Sequence, residues 1–283
     1  MKYYELAINM CGYYAPASFH EKNEFFNEYQ RIYIGSEYCS TFLYKFEKNI
    51  DEIMMNLGNI KKISIVFPLI QETNWKILEK ICCKLSVINN NVDEIIVNDI
   101  GTLVYCAKIL GNRQIVLGKL FCKSPRDPRI NMWDFDGINN TKVLSESVFD
   151  TDYFRILMKK YNINRVEMEC ISNEYVSDIC NNNSSYFVDI HYPYVYITSG
   201  TICPLNSISD NNKIQLINKI LCSNQCMHTM LRIQNPVLTN DIISRGNVYM
   251  YKTNIDKNIF EFSAGSKIRL VIDELFYREN DWK

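Results

Sequence analysis

Cys39, Cys203, Cys222 and Cys226 are the side chains whose type and spacing most directly suggest chemistry. Cys222-Ser-Asn-Gln-Cys226 is a C-x-x-x-C pair, able to hold two sulfurs on one side of a turn or helix end. Cys203 precedes that pair by eighteen intervening residues, room for a loop and a helix that return the chain to the same place. Cys39 is the remote fourth. Thiolates are soft ligands, so four of them suit a cubane iron–sulfur cluster or a structural zinc ion. Spacing alone separates neither from the other, nor from four unrelated thiols.

Other groups could handle protons or charge. Lys119, Lys123, Arg126 and Arg129 form a basic segment after the apolar run Ile115–Gly118. Arginine can grip a carboxylate or phosphate with two parallel bonds, so this segment is a candidate site for a small anion, or else a solvated loop. Glu167 and Glu169 alternate with Val166 and Met168, which puts both carboxylates on one face of a strand, placed for acid–base work or for pairing with the basic segment. His191 is the one histidine in a strand pattern and a candidate general acid or base. Asp99 stands at a strand end, where it could orient a substrate or cap the helix beginning near Thr102. His20, His191 and His228 make no zinc-binding spacing, and no nucleophile elbow, phosphate loop or dinucleotide fingerprint is present. Cys82 falls on an apolar helix face, and Cys11, Cys83, Cys106, Cys122, Cys170 and Cys180 have mostly apolar or helical settings, so these seven are read as structural.

These groups need elements to position them. A chain of 283 residues with 47% hydrophobic content can bury a large core, and 31 basic against 32 acidic side chains leave a net charge of −1. No global attraction to nucleic acid or acidic lipid follows. Residues 1–20 hold no long apolar stretch, so the expectation is a cytosolic protein with reduced cysteines. Ile63–Phe67, Glu94–Val97, Ile115–Gly118 and Arg165–Glu169 read as strands. Trp75, Leu78, Cys82 and Leu85, at steps of three, four and three, mark one helix face between them. Thr102–Leu110, closed by Gly111, and the face Phe154, Leu157, Met158 and Tyr161 are further helices. This alternation predicts a (β/α) barrel, complete or distorted, with functional groups at the C-terminal strand ends. From Tyr186 the pattern turns β-rich: Tyr186–Thr198 broken at Pro193, then Asn247–Lys252 and Lys267–Ile272, with a helix through Ile214, Ile217 and Leu221 leading into Cys222. One α/β domain over 1–283, β-rich from about 186, is expected.

With those residues placed, the chain resembles the collagenase-like peptidase superfamily, and within it the UbiV-type branch of oxygen-independent hydroxylation proteins. Tyr33-Ile-Gly-Ser-Glu-Tyr-Cys39-Ser40 is similar to that branch's segment around a cluster-ligand cysteine. Val97-Asn-Asp-Ile-Gly101, Leu117-Gly-Lys-Leu-Phe121 with Arg126-Asp-Pro-Arg129, and Arg165-Val-Glu-Met-Glu169 resemble its successive strand ends. Ile190–Cys203 resembles the stretch ending in the second ligand, and Cys222 and Cys226 fill its C-x-x-x-C. His191 and Tyr192 depart from a Gly-Arg-like pair, and the gap from Cys203 to Cys222 is long. The resemblance implies a barrel-like fold, a 4Fe-4S cluster on the four cysteines, and a partner subunit of the same superfamily. It also implies a small anionic substrate or oxygen donor of the prephenate kind.

The expected function is therefore a component of an oxygen-independent hydroxylase. Three alternatives stand beside it: a hydrolase, as the superfamily's peptidase label suggests; an RNA-modifying hydroxylase, against which the near-neutral charge argues; and a non-catalytic subunit stabilised by its cluster or by zinc.

Overall fold

The computed structural model describes residues 5–12, 28–57, 62–88, 92–122, 126–129, 147–181, 185–207, 222, 224–238, 240–255, 260 and 267–275. Eight parallel strands close into a barrel. In chain order they are β1 (Glu5–Asn9), β2 (Arg31–Gly35), β3 (Ile63–Val66), β4 (Val92–Val97), β5 (Gln114–Leu117), β6 (Arg165–Glu169), β7 (Phe187–Tyr192) and β12 (Ile268–Asp273). The last of these inserts between β1 and β7 and completes the circle, pairing Glu5 with Arg269 on one side and Ile268 with Val188 on the other. Helices α1 (Leu43–Asn56), α2 (Trp75–Val87), α3 (Ile100–Ile109), α4 (Asp152–Lys160) and α5 (Asn173–Asn181) follow β2, β3, β4, β5 and β6.

Period-two alternation divides each barrel strand between two surroundings. Ile32 and Ile34, Ile63 and Ile65, Ile95 and Val97, Val166 and Met168, and Leu270 and Ile272 face outward and belong to the core beneath the helices. Ala7, Tyr33, Val66, Ile96, Val116 and Val271 form a separate apolar layer inside the barrel. Buried aliphatic surface stabilises by about 25 cal/mol per Å², so the outer seam between strands and helices is where most of the fold's driving force lies. The expected faces hold: Leu78, Cys82 and Leu85 are fully buried on α2, and Trp75 packs beside them.

Below the apolar layer, the N-terminal end of the lumen is charged. Arg269 reaches Glu94 at 2.8 Å, Asp189 at 2.9 Å and Glu5 at 3.0 Å, while Arg31 contacts Glu5 at 2.9 Å and Ser64 at 2.9 Å. Arg165 pairs with Asp189, whose other oxygen accepts from the Tyr33 hydroxyl at 2.8 Å. Burial pushes Glu94 up, but Arg269 and Arg31 outweigh it and hold the carboxyl down at about 2. Buried charges survive only when paired, and here every carboxylate has an arginine.

The β-rich tail is two structures rather than one. β7 ends in the barrel at Tyr192, a cis Tyr192–Pro193 bond follows, and β8 (Tyr194–Ser199) begins a second, antiparallel sheet. That sheet runs in the order β8, β11 (Val248–Lys252), β10 (Ile242–Arg245), β9 (Leu231–Ile233). A proline without an N–H suits the point where the chain leaves one ladder for the next. A short helix, α6 (Pro204–Ser207), follows β8. The expected helix through Ile214, Ile217 and Leu221 lies outside the described residues, as do Lys123 and His20.

Candidate metal centre at the barrel mouth

A cavity of about 600 Å³ opens between the C-terminal ends of the barrel strands and the antiparallel sheet, and Cys39, Cys203, Cys222 and Cys226 all line it. Each arrives by a different route. Cys39 follows β2 and stands at the N-cap of a 3₁₀ turn, where its backbone N–H donates to Ser36 Oγ at 3.1 Å. Cys203 precedes α6, whose Ser207 donates from both N and Oγ to the Cys203 carbonyl. Cys222 receives the Asn224 N–H on its sulfur at 3.3 Å, the kind of contact that stabilises a thiolate, and Asn224 takes a left-handed φ of 57° to make the turn toward Cys226. Gly246, at φ +66°, brings the β10–β11 turn so close that an added Cβ would stand 3.3 Å from the Cys226 Cβ.

The sulfurs feel one another. Burial, with smaller contributions from Cys226 and Cys222 and with the Phe42 N–H opposing, pushes the Cys39 thiol up to about 12. Cys226 is raised to about 11 by burial and by Cys222 and Cys203, with Arg245 opposing; Cys203 is raised by burial and by Cys222. Four neighbouring thiols that would repel one another as anions suit a place where a cation offsets the charge. Among the described residues, no three His, Cys, Asp or Glu side chains converge tightly enough for a single ion.

Beneath the cavity sits a second group. Lys119 Nζ lies 3.0 Å from Glu37 Oε1 and 3.4 Å from His191 Nδ1, and His191 Nε2 lies 3.1 Å from Glu167 Oε1. That last pair is close but poorly aligned, leaving both atoms without a formed hydrogen bond. Burial and the neighbouring Asp189 raise Glu167 to about 8, so it is protonated at neutral pH, whereas burial and Lys119 lower His191 to about 4 and keep it neutral. Lys119 is held charged by Glu37 despite its burial.

The candidates singled out by sequence fall in different places. Glu167, Glu169 and His191 do come together on the lumen face, but at 1–2% exposure none lines the cavity. Tyr38 and Tyr196, which line the cavity, stack at 5.0 Å, with Lys119 against the first ring and Arg126 against the second, and Glu37 lines the cavity as well and joins it to the buried group through Lys119. Arg126 lines the cavity but pairs with Glu169 at 2.8 Å and donates to the carbonyls of Lys119 and Cys122. Arg129 is outside the cavity, exposed and paired with Asp127. Each of the three described members of the basic segment thus pairs with a carboxylate. Asp99 lines the cavity and also caps α3, accepting from Thr102 N at 2.8 Å.

Glu37, Tyr38, Tyr196, Asp273 and Arg245 are not among the residues that sequence alone singles out. Glu37 sits two residues from Cys39 in the Tyr33–Ser40 segment, a position that could have drawn notice. Arg245, which donates to the Cys226 carbonyl at 3.3 Å and to Glu274 at 2.6 Å, has no local signal. No family model matches the chain, and no curated protein matches it.

Proposed function

We propose that this chain is an iron–sulfur protein, with Cys39, Cys203, Cys222 and Cys226 as ligands of a 4Fe-4S cluster, and that it serves an oxygen-independent hydroxylation as one component of a larger complex. The observation carrying this reading is the meeting of four cysteines, from three separate stretches of chain, on one cavity at the C-terminal mouth of a barrel, where such folds keep their chemistry. A bound cluster would supply one-electron transfer, or Lewis acidity at an iron with an open position. The chain's own residues have simpler tasks. The Asn224 N–H would stabilise a Cys222 thiolate, Gly246 gives the β10–β11 turn room against Cys226, and the stacked Tyr38 and Tyr196 line the cavity.

The burial of Glu167, Glu169 and His191, none of which lines the cavity, favours a second reading, a metal-stabilised subunit whose partner performs the reaction. The two divide on experiment. Wild-type protein reconstituted anaerobically with iron and sulfide should turn brown, and Cys203→Ser and Cys222→Ser should not. Uptake of one zinc without sulfide would replace the cluster in this proposal. A Cys203→Ser complex that kept turnover while losing stability would make the metal purely structural.

A further inference from the structure

Away from the cavity, α2 and α3 hold a pair of thiols in contact. Cys82 Sγ and Cys106 Sγ lie 3.9 Å apart, both at 0% exposure. The distance is van der Waals contact between sulfurs, and a disulfide requires about 2.05 Å, so the pair is unbridged and the two sulfurs must move together to form the bond. Trp75 and Tyr105 meet edge to face at 5.4 Å on the same helix–helix seam, which fixes the register that keeps the sulfurs opposed. The shared S–H contact and burial raise the Cys106 thiol well above its ordinary value, so the pair rests as two thiols.

We propose that Cys82 and Cys106 form a redox-modifiable pair that a small peroxide converts into a disulfide joining α2 to α3. In the step, both S–H bonds break and one S–S bond forms. Hydrogen peroxide accepts the two electrons and two protons and leaves as two waters. A small neutral oxidant suits a site that opens only by local fluctuation, and the high thiol pKa makes the reaction slow. The consequence would reach the cavity wall, because α3 begins at Asp99 and Ile100, both of which line it. The bridge would fix that helix to its neighbour and narrow its freedom, across a sequence separation of 24 residues. Neither thiol belongs to the proposed cluster, so the pair keeps its chemistry whether or not a cluster binds.

The test is oxidation of the full-length protein with hydrogen peroxide, alkylation of remaining thiols, and peptide mapping under non-reducing conditions. The expected product is a cross-linked peptide containing residues 82 and 106. It should be retained in Cys83→Ser, lost in Cys82→Ser and in Cys106→Ser, and accompanied by a rise of several degrees in Tm that a reductant reverses. If exposed Cys83 is fully oxidised while residues 82 and 106 remain alkylatable, the proposal is overturned. It fails equally if the cross-link persists in Cys82→Ser, since the partner of Cys106 would then be Cys83.

Discussion

Glu167 and His191 show how little a residue's type says about its role until its surroundings are known. The alternation through Arg165–Glu169 puts two carboxylates on one face, yet the neighbours that decide their charge come from other parts of the barrel. Glu169 takes Arg126 from beyond β5, and Glu167 faces His191 on β7. The two groups give opposite pH dependences. Glu167 binds its proton more tightly folded than unfolded, so its contribution to stability is complete below about pH 4.5 and fades as pH rises through about 8. His191 is depressed, so its contribution is complete above about pH 6.5 and fades as pH falls through about 4. Glu167→Gln, neutral at every pH, should therefore gain on wild type by a few kcal/mol between pH 5 and 8, each tenfold change in proton affinity being worth about 1.4 kcal/mol. Urea denaturation at a series of pH values measures this, and parallel curves for the two proteins would show that Glu167 is not held protonated.

Single elements make their own demands. The α3 helix begins where Asp99 accepts the Thr102 N–H, and the same carboxylate accepts Ile70 N at 3.2 Å, tying the β3 loop to the cavity wall. Asp99→Ala should cost about 1–2 kcal/mol, with Asp99→Asn recovering part of it, as read from denaturation midpoints. Equal losses in both variants would mean that the cap is not the source. Gly118 sits so close beneath Asn98 that an added Cβ would overlap its Oδ1, and Asn98 bridges the Phe67 carbonyl and Leu120 N–H. Gly118→Ala should lower Tm by several degrees through forced displacement of Asn98. The elements are legible in sequence where one face is plainly apolar, as on α2. β1, without strong patterning, gives no signal, and the tail from Tyr186 reads as one β-rich block although Pro193 divides a barrel strand from a second sheet.

Across the whole molecule, closure of the barrel brings distant segments into one charged lumen and one cavity. Arg269, on the last strand, meets Glu5, Glu94 and Asp189 from three others, contacts that sequence order conceals. Arg269→Met would strand buried carboxylates and should cost about 3–5 kcal/mol; a variant of unchanged stability would mean that the lumen charges are not energetically coupled. The cysteine quartet is readable because few residue types do what thiols do and because its C-x-x-x-C is local. Cys39, the remote fourth, has no local spacing to tie it to the others, and the pairing of Lys119, Arg126 and Arg129 with carboxylates is invisible without three dimensions. Among the described residues, no helix is long and apolar enough to cross a membrane. The central claim rests on the sulfurs at the barrel mouth, and iron and acid-labile sulfide content after strictly anaerobic isolation tests it most directly. The prediction is about four irons and four sulfides per chain; a colourless, iron-free protein that takes up neither on reconstitution would contradict it.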